Sequence, residues 1–185
     1  MNTFKHLTTA LTLTLAAAAA QAAGTLGITP ANSTVDVGSS FAVQVRGNGF
    51  IDNVVGGGFN LAFNPAVLSL SSVTINTGVW EFVSSAGLTD NASGTLSDVF
   101  FNSIRSPLPT GSFDIATLTF TAKAPGSSLL SLGASSSFPF ANDVADVINV
   151  GFGTGSVTAV PEPAAWMSLL LGVALLPALR RRQAR

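Results

Sequence analysis

From Gly24 to Val157 the apolar residues of this chain recur at every second position, and no segment shows a convincing helical period. Alternation of that kind marks half-buried strands, because successive side chains of an extended backbone point to opposite faces. Phe41, Val43 and Val45 share one face of a strand that Gly47-Asn48-Gly49 is expected to end. Phe59, Leu61 and Phe63 alternate with Asn60, Ala62 and Asn64 until Pro65 stops them. Leu68 and Leu70 keep one phase and Val73 and Ile75 the opposite one, which predicts a bulge near Ser71-Ser72. Val79–Val83, Val99–Ile104, Ile115–Ala122, Ser128–Leu132 and Val147–Val157 supply further strands. Gly56-Gly57-Gly58, Ser106-Pro107 and Pro125-Gly126 read as turns. Many short strands at this spacing predict an all-β, antiparallel sandwich of jelly-roll or immunoglobulin-like type.

Chemistry in this domain is restricted by what is missing. The only histidine, His6, precedes the strands, and the chain has neither cysteine nor tyrosine. Imidazole acid–base chemistry, thiol nucleophiles and zinc sites built on His or Cys are therefore excluded. Glu81 is the sole glutamate between Gly24 and Ala159 and the aspartates are scattered, a poor basis for a paired-carboxylate hydrolase. No enzymatic activity, cofactor or structural metal is expected. Across that span eight acids (Asp36, Asp52, Glu81, Asp90, Asp98, Asp114, Asp143 and Asp146) face three bases (Arg46, Arg105 and Lys123), giving 3 − 8 = −5. A domain with no basic stripe is not a nucleic-acid binder.

Three features could still hold a ligand. Asn142-Asp143-Val144-Ala145-Asp146 offers calcium ligands in Asp143 and Asp146, with Asp90 or Asp98 as further donors, or is an ordinary solvated turn. Trp80, placed with Phe82 on one strand face, could stack on a sugar ring or pack in the core. Thr117, Thr119 and Thr121 line the face opposite Leu118 and Phe120, where hydroxyls could bind a polymer, order water or merely face solvent. Gly56-Gly57-Gly58 has no following helix with Lys-Ser/Thr and is no phosphate cradle.

Both ends of the chain read as addresses, leaving residues 23–159 as one domain. Residues 1–22 have a basic start at Lys5, an apolar stretch from Leu7 to Ala20 and small residues at Ala20-Gln21-Ala22, the pattern of a secretory signal helix cleaved after Ala22 or Ala23. Residues 160–185 begin with Val160-Pro161-Glu162-Pro163, continue through an apolar run from Ala164 to Leu179 and end in Arg180, Arg181 and Arg182 followed by Gln183-Ala184-Arg185. As a helix that run spans roughly 24 Å, short of the roughly 30 Å hydrocarbon core. Its leucines contribute only about −2 to −4 kcal/mol of insertion free energy. A short transmembrane helix with arginines held on the cytoplasmic side suits a transient signal better than a permanent anchor.

The Pro161-Glu162-Pro163 motif, the apolar helix and the arginines, in that order, resemble the PEP-CTERM sorting signal of exported bacterial proteins. The resemblance implies the secretion machinery and processing by an exosortase-type membrane enzyme. It also implies an envelope, surface or matrix destination in a bacterium that makes extracellular polysaccharide. A second resemblance lies in the strands. Val35-Asp36-Val37-Gly38-Ser39-Ser40-Phe41-Ala42-Val43-Gln44-Val45, Gly58-Phe59-Asn60-Leu61-Ala62-Phe63-Asn64-Pro65-Ala66-Val67-Leu68 and Phe113-Asp114-Ile115-Ala116-Thr117-Leu118-Thr119-Phe120 are similar to stretches of cohesin domains. Asn64 stands where that family usually has Asp. This likeness implies a nine-stranded jelly roll, related in fold to carbohydrate-binding modules, that binds without catalysing. The expected role is a surface module contacting extracellular polysaccharide or another protein. The alternatives are docking of a dockerin partner in polysaccharide degradation, and an accessory module of a carbohydrate-active enzyme.

Overall fold

A computed structural model describes residues 22–162. The stretches expected as a signal helix and a transmembrane helix, with Pro163 and Arg180 to Arg182, lie outside the described residues. Within them every element is a strand: β1 (Gly24–Thr29), β2 (Asn32–Asp36), β3 (Ser40–Phe50), β4 (Val54–Ala62), β5 (Leu68–Ile75), β6 (Ser84–Ser85), β7 (Leu88–Asp90), β8 (Thr95–Asn102), β9 (Gly111–Ala122), β10 (Gly126–Ala134), β11 (Ala141–Asn142), β12 (Val150–Phe152) and β13 (Thr154–Val160). They form two sheets, β12-β1-β3-β9-β5 and β2-β13-β10-β4-β8-β6, with β7 and β11 as short additions to β8 and β4.

Two strands cross between the sheets. Leaving the five-stranded sheet at Thr29, the chain enters the other at Asn32, and it makes a second crossing between Phe152 and Thr154. Gly153 joins the layers there, donating its N–H to the Leu26 carbonyl and accepting from the Leu132 N–H. Val147–Val157, expected as one strand, is thus two short ones. Counting each crossing pair once and leaving aside β7 and β11 gives nine strands. The crossings also make two pairings parallel, β1 with β12 and β13 with β2, so the sandwich is mixed rather than wholly antiparallel.

The alternation places Val43, Val45, Phe59, Leu61, Leu118, Phe120, Leu130 and Leu132 between the sheets. Each such side chain stabilises the fold by about 1.5–3 kcal/mol through removal from water. The phase change in β5 is real: its register against β9 shifts between Leu70 and Ser72, so Leu68 and Leu70 before the bulge and Val73 and Ile75 after it all meet the core.

Glycine misleads twice. Gly47-Asn48-Gly49 does not end β3, which absorbs it through register shifts against β9 and runs to Phe50. Gly56-Gly57-Gly58 is no turn but the middle of β4, paired with Phe100, Phe101 and Asn102. Its glycines are there for space: a Cβ on Gly57 would sit 2.6 Å from the Phe140 ring, and one on Gly58 would sit 2.7 Å from the Phe138 Cβ. Two aromatics close over opposite faces of one bare stretch of strand.

Candidate functional site

The outer face of the eight-stranded sheet is a shallow, mostly neutral trough between two exposed leucines. Asn60 and Ala62 of β4, Thr95 and Ser97 of β8, and Ser131 and Gly133 of β10 line a depression of about 380 Å³. Its floor is low because Ala62, Gly133 and the serines are small. Leu129 on β10 rises on one side, 60% exposed, and Leu88 on β7 on the other, 75% exposed. Their registers, opposite Ser156 and Ser97, put both on the outer face. A bulge fixes the trough's wall: Asp98 takes φ 55°, its N–H donates to Asn60 Oδ1 at 2.8 Å, and its carboxylate accepts from Ser135 Oγ at 2.7 Å. At the far end Phe100 and Phe138 stack with ring centroids 4.3 Å apart.

The opposite outer face carries the threonines. Thr117, Thr119 and Thr121 lie half-exposed on β9. The registers set Gln44, Ala42 and Ser40 of β3 beside them on one side, and Thr74, Ser72 and Ser69 of β5 on the other. Thr121 Oγ1 is within hydrogen-bond distance of Ser40 Oγ (3.2 Å) and Ser71 Oγ (3.0 Å). A polar trough of about 310 Å³, lined by Gln44, Thr74, Asn76, Thr77, Asp114 and Thr117, opens at one end of the rows. Arg46 Nε lies 2.7 Å from Asp114 Oδ1 beside it.

Trp80 belongs to neither face. Val79–Val83 is not a strand, Trp80 is 1% exposed, and Phe82 points outward at 59%. The Trp80 ring packs on Phe101 and Phe113 at 4.5 and 5.2 Å between centroids, and its Nε1–H donates to the Asp114 carbonyl at 3.1 Å. It is a core residue and cannot stack on a sugar. Glu81, between the two, is exposed and turns to the 103–105 loop. Partial desolvation raises its pKa, but hydrogen bonds from its own N–H, the Ile104 N–H and Ser103 Oγ, with the charge of Arg105, outweigh that and lower it to about 2.

Nor does the chain gather its aspartates. Asn142 Oδ1 organises the 142–146 turn by accepting the Val144 and Asp146 N–H groups, while Asp143 accepts from Asn53 Nδ2 at 2.9 Å. Asp90 is engaged elsewhere, with Ser93 Oγ and the Ala92 and Ser93 N–H groups holding its pKa below the usual carboxylate value. Asp98 braces the trough. Among the described residues no three acidic side chains converge on a point where a cation could sit.

The Cohesin domain family model matches residues 26–159, the whole sandwich. The chain belongs to the cohesin domain family. Solved cohesins share its fold at low sequence identity. One is the cohesin module of a family 33 glycoside hydrolase from Clostridium perfringens, 16% identical with a TM-score of 0.63 over 77% of this chain and 100% of that one. Another, in a type I cohesin–dockerin complex from Clostridium thermocellum, is 13% identical with a TM-score of 0.59 over 74% and 99%. A third, a non-cellulosomal cohesin from the hyperthermophilic archaeon Archaeoglobus fulgidus, is 14% identical with a TM-score of 0.57 over 78% and 95%. A search of curated protein sequences finds no match. These solved cohesins are matched over nearly their entire length, so residues 26–159 hold a whole cohesin fold. Cohesin domains are non-catalytic binding modules, which agrees with the missing catalytic groups. What sequence reasoning overlooked was the leucine-flanked trough, whose one signal was Leu129 out of phase with Leu130 and Leu132.

Proposed function

We propose that this cohesin is a surface docking module that captures a dockerin-like protein on the outer face of its eight-stranded sheet. The observation that carries this reading is the trough between Leu129 and Leu88. Two apolar side chains stand exposed on either side of a floor of small hydroxyl and amide groups, so a partner helix or loop can bury the leucines and still satisfy its polar atoms. The module in the Clostridium thermocellum complex, bound to a dockerin, has the same fold. Titrating the sandwich with a panel of dockerin modules tests the proposal. At least one should bind at micromolar affinity or better, and Leu129→Asp should weaken it.

Delivery belongs to the same proposal. The chain is exported, handled near Pro161-Glu162-Pro163 by an exosortase-type enzyme, and held briefly in the inner membrane by its apolar tail with Arg180, Arg181 and Arg182 inside. Glu162 is exposed just beyond β13, where a membrane enzyme could reach it. Substituting Glu162 and following the C-terminus by mass spectrometry tests this: a processing motif responds and a plain anchor does not.

The hydroxyl rows around Thr117, Thr119 and Thr121 favour a second reading, in which the five-stranded face holds extracellular polysaccharide. A glycan array with the sandwich tests it, and replacing Thr117 and Thr119 by valine should abolish any signal.

A further inference from the structure

Of the eight large hydrophobic side chains that stand exposed among the described residues, six lie at one end of the sandwich: Ile51, Phe82, Val83, Ile104, Val144 and Val147. Hydrogen bonds tie their loops together. The Asn102 N–H donates to the Val83 carbonyl, and the Ser103 N–H to the Val55 carbonyl, each at 2.8 Å. Ile104 is held to Glu81 through its N–H, and Asn53 reaches Asp143 on the far side. Val54 pairs with Asn142 on β11, which completes a continuous band from residue 80 to residue 147 across the end of the sheet.

That band is acidic as well as apolar. Asp52, Glu81, Asp143 and Asp146 face a single base, Arg105, giving 1 − 4 = −3, and Arg105 is already paired with Glu81. Apolar side chains left in water at this density mark an interaction surface. The charge selects what covers it. A second copy presenting the same end would bring like carboxylates together, and an anionic lipid surface would be repelled. A protein segment carrying Lys or Arg beside large apolar side chains satisfies both requirements.

We infer that this end of the cohesin is a second docking surface, taking a cationic, apolar-faced protein segment. Its position allows it to work alongside the trough. The described chain enters at the apolar end, where the Ala23 N–H donates to the Asn149 carbonyl, and leaves at the other, where the Val37 N–H donates to the Val160 carbonyl. A partner seated here lies at the end opposite the one from which the described chain leaves. The inference does not rest on the dockerin proposal and survives its failure.

The test is an NMR titration of the isotope-labelled sandwich with an 18-residue Leu/Lys amphipathic peptide, and with its Leu/Glu counterpart as control. The Leu/Lys peptide should shift resonances within 51–54, 80–83, 102–105 and 142–147. Its affinity should fall about tenfold or more in Ile104→Ser and in Val144→Ser, severalfold in Asp143→Asn, and steeply with added salt. The Leu/Glu peptide should not bind. Both serine variants replace exposed side chains and should keep the parent melting temperature; if one does not, the other still decides. The inference is overturned by absence of binding, by shifts scattered over the acidic surface, by equal binding of both peptides, or by self-association through this end in sedimentation.

Discussion

Asn91 pairs with Leu70 as a strand would. The Leu70 N–H donates to Asn91 Oδ1 at 2.7 Å, and Asn91 Nδ2 donates back to the Leu70 carbonyl at 3.0 Å. Leu70 lies on β5, the outer strand of the five-stranded sheet, immediately before the bulge at Ser71. One side-chain amide thus supplies both halves of a ladder rung at an edge that would otherwise offer free backbone groups to another chain. Asn91→Ala leaves both groups part-buried and unsatisfied. It should cost about 1–3 kcal/mol in chemical denaturation and raise the tendency to aggregate.

The bare stretch of β4 is equally sensitive. Gly57→Ala must displace the Phe140 ring, which also packs against Phe50 and Phe101. Overpacking of this kind costs about 1–3 kcal/mol. Denaturant midpoints should record it, with near-ultraviolet dichroism reporting the disturbed aromatics.

Acid should weaken the fold through Glu81. Its folded pKa of about 2 lies below the ordinary 4.5, so its contribution is complete above pH 4.5 and is lost as pH falls towards 2. Asp90, also lowered, acts in the same direction. Glu81→Gln should melt below the parent at neutral pH, with the gap closing as pH approaches 2. Melting curves between pH 2 and 7 measure this.

Ala145 takes φ 66°, a left-handed conformation in the 142–147 loop. Side chains cost about 1–2 kcal/mol there, partly offset in the comparison with glycine by the latter's greater unfolded freedom. Ala145→Gly should therefore stabilise the domain by up to about 1 kcal/mol, seen as a higher melting temperature.

The sandwich was legible because long stretches of its strands alternate, and even the β5 bulge was visible in Leu68, Leu70, Val73 and Ile75. Local patterning could not reveal what depends on distant partners. Gly56-Gly57-Gly58 looks like a turn until Phe138 and Phe140, some eighty residues later, are seen to occupy the space where side chains would be. Val79–Val83 alternates like a strand, yet Trp80 is drawn inward by Phe101, Phe113 and the Asp114 carbonyl while Phe82 turns out. The trough beside Leu129 and Leu88 was harder still. It exists only where Asn60, Thr95 and Ser131, from three different strands, meet in register, and no single segment announces it.

The central claim is that a protein partner docks between Leu129 and Leu88. Isothermal titration of the sandwich against a panel of dockerin modules, with Leu129→Asp and Leu88→Asp in parallel, tests it most directly. The account predicts at least one module binding at micromolar affinity or better, weakened about tenfold or more by each variant while the melting temperature holds. Failure of every module to bind, or binding indifferent to both substitutions, would contradict it.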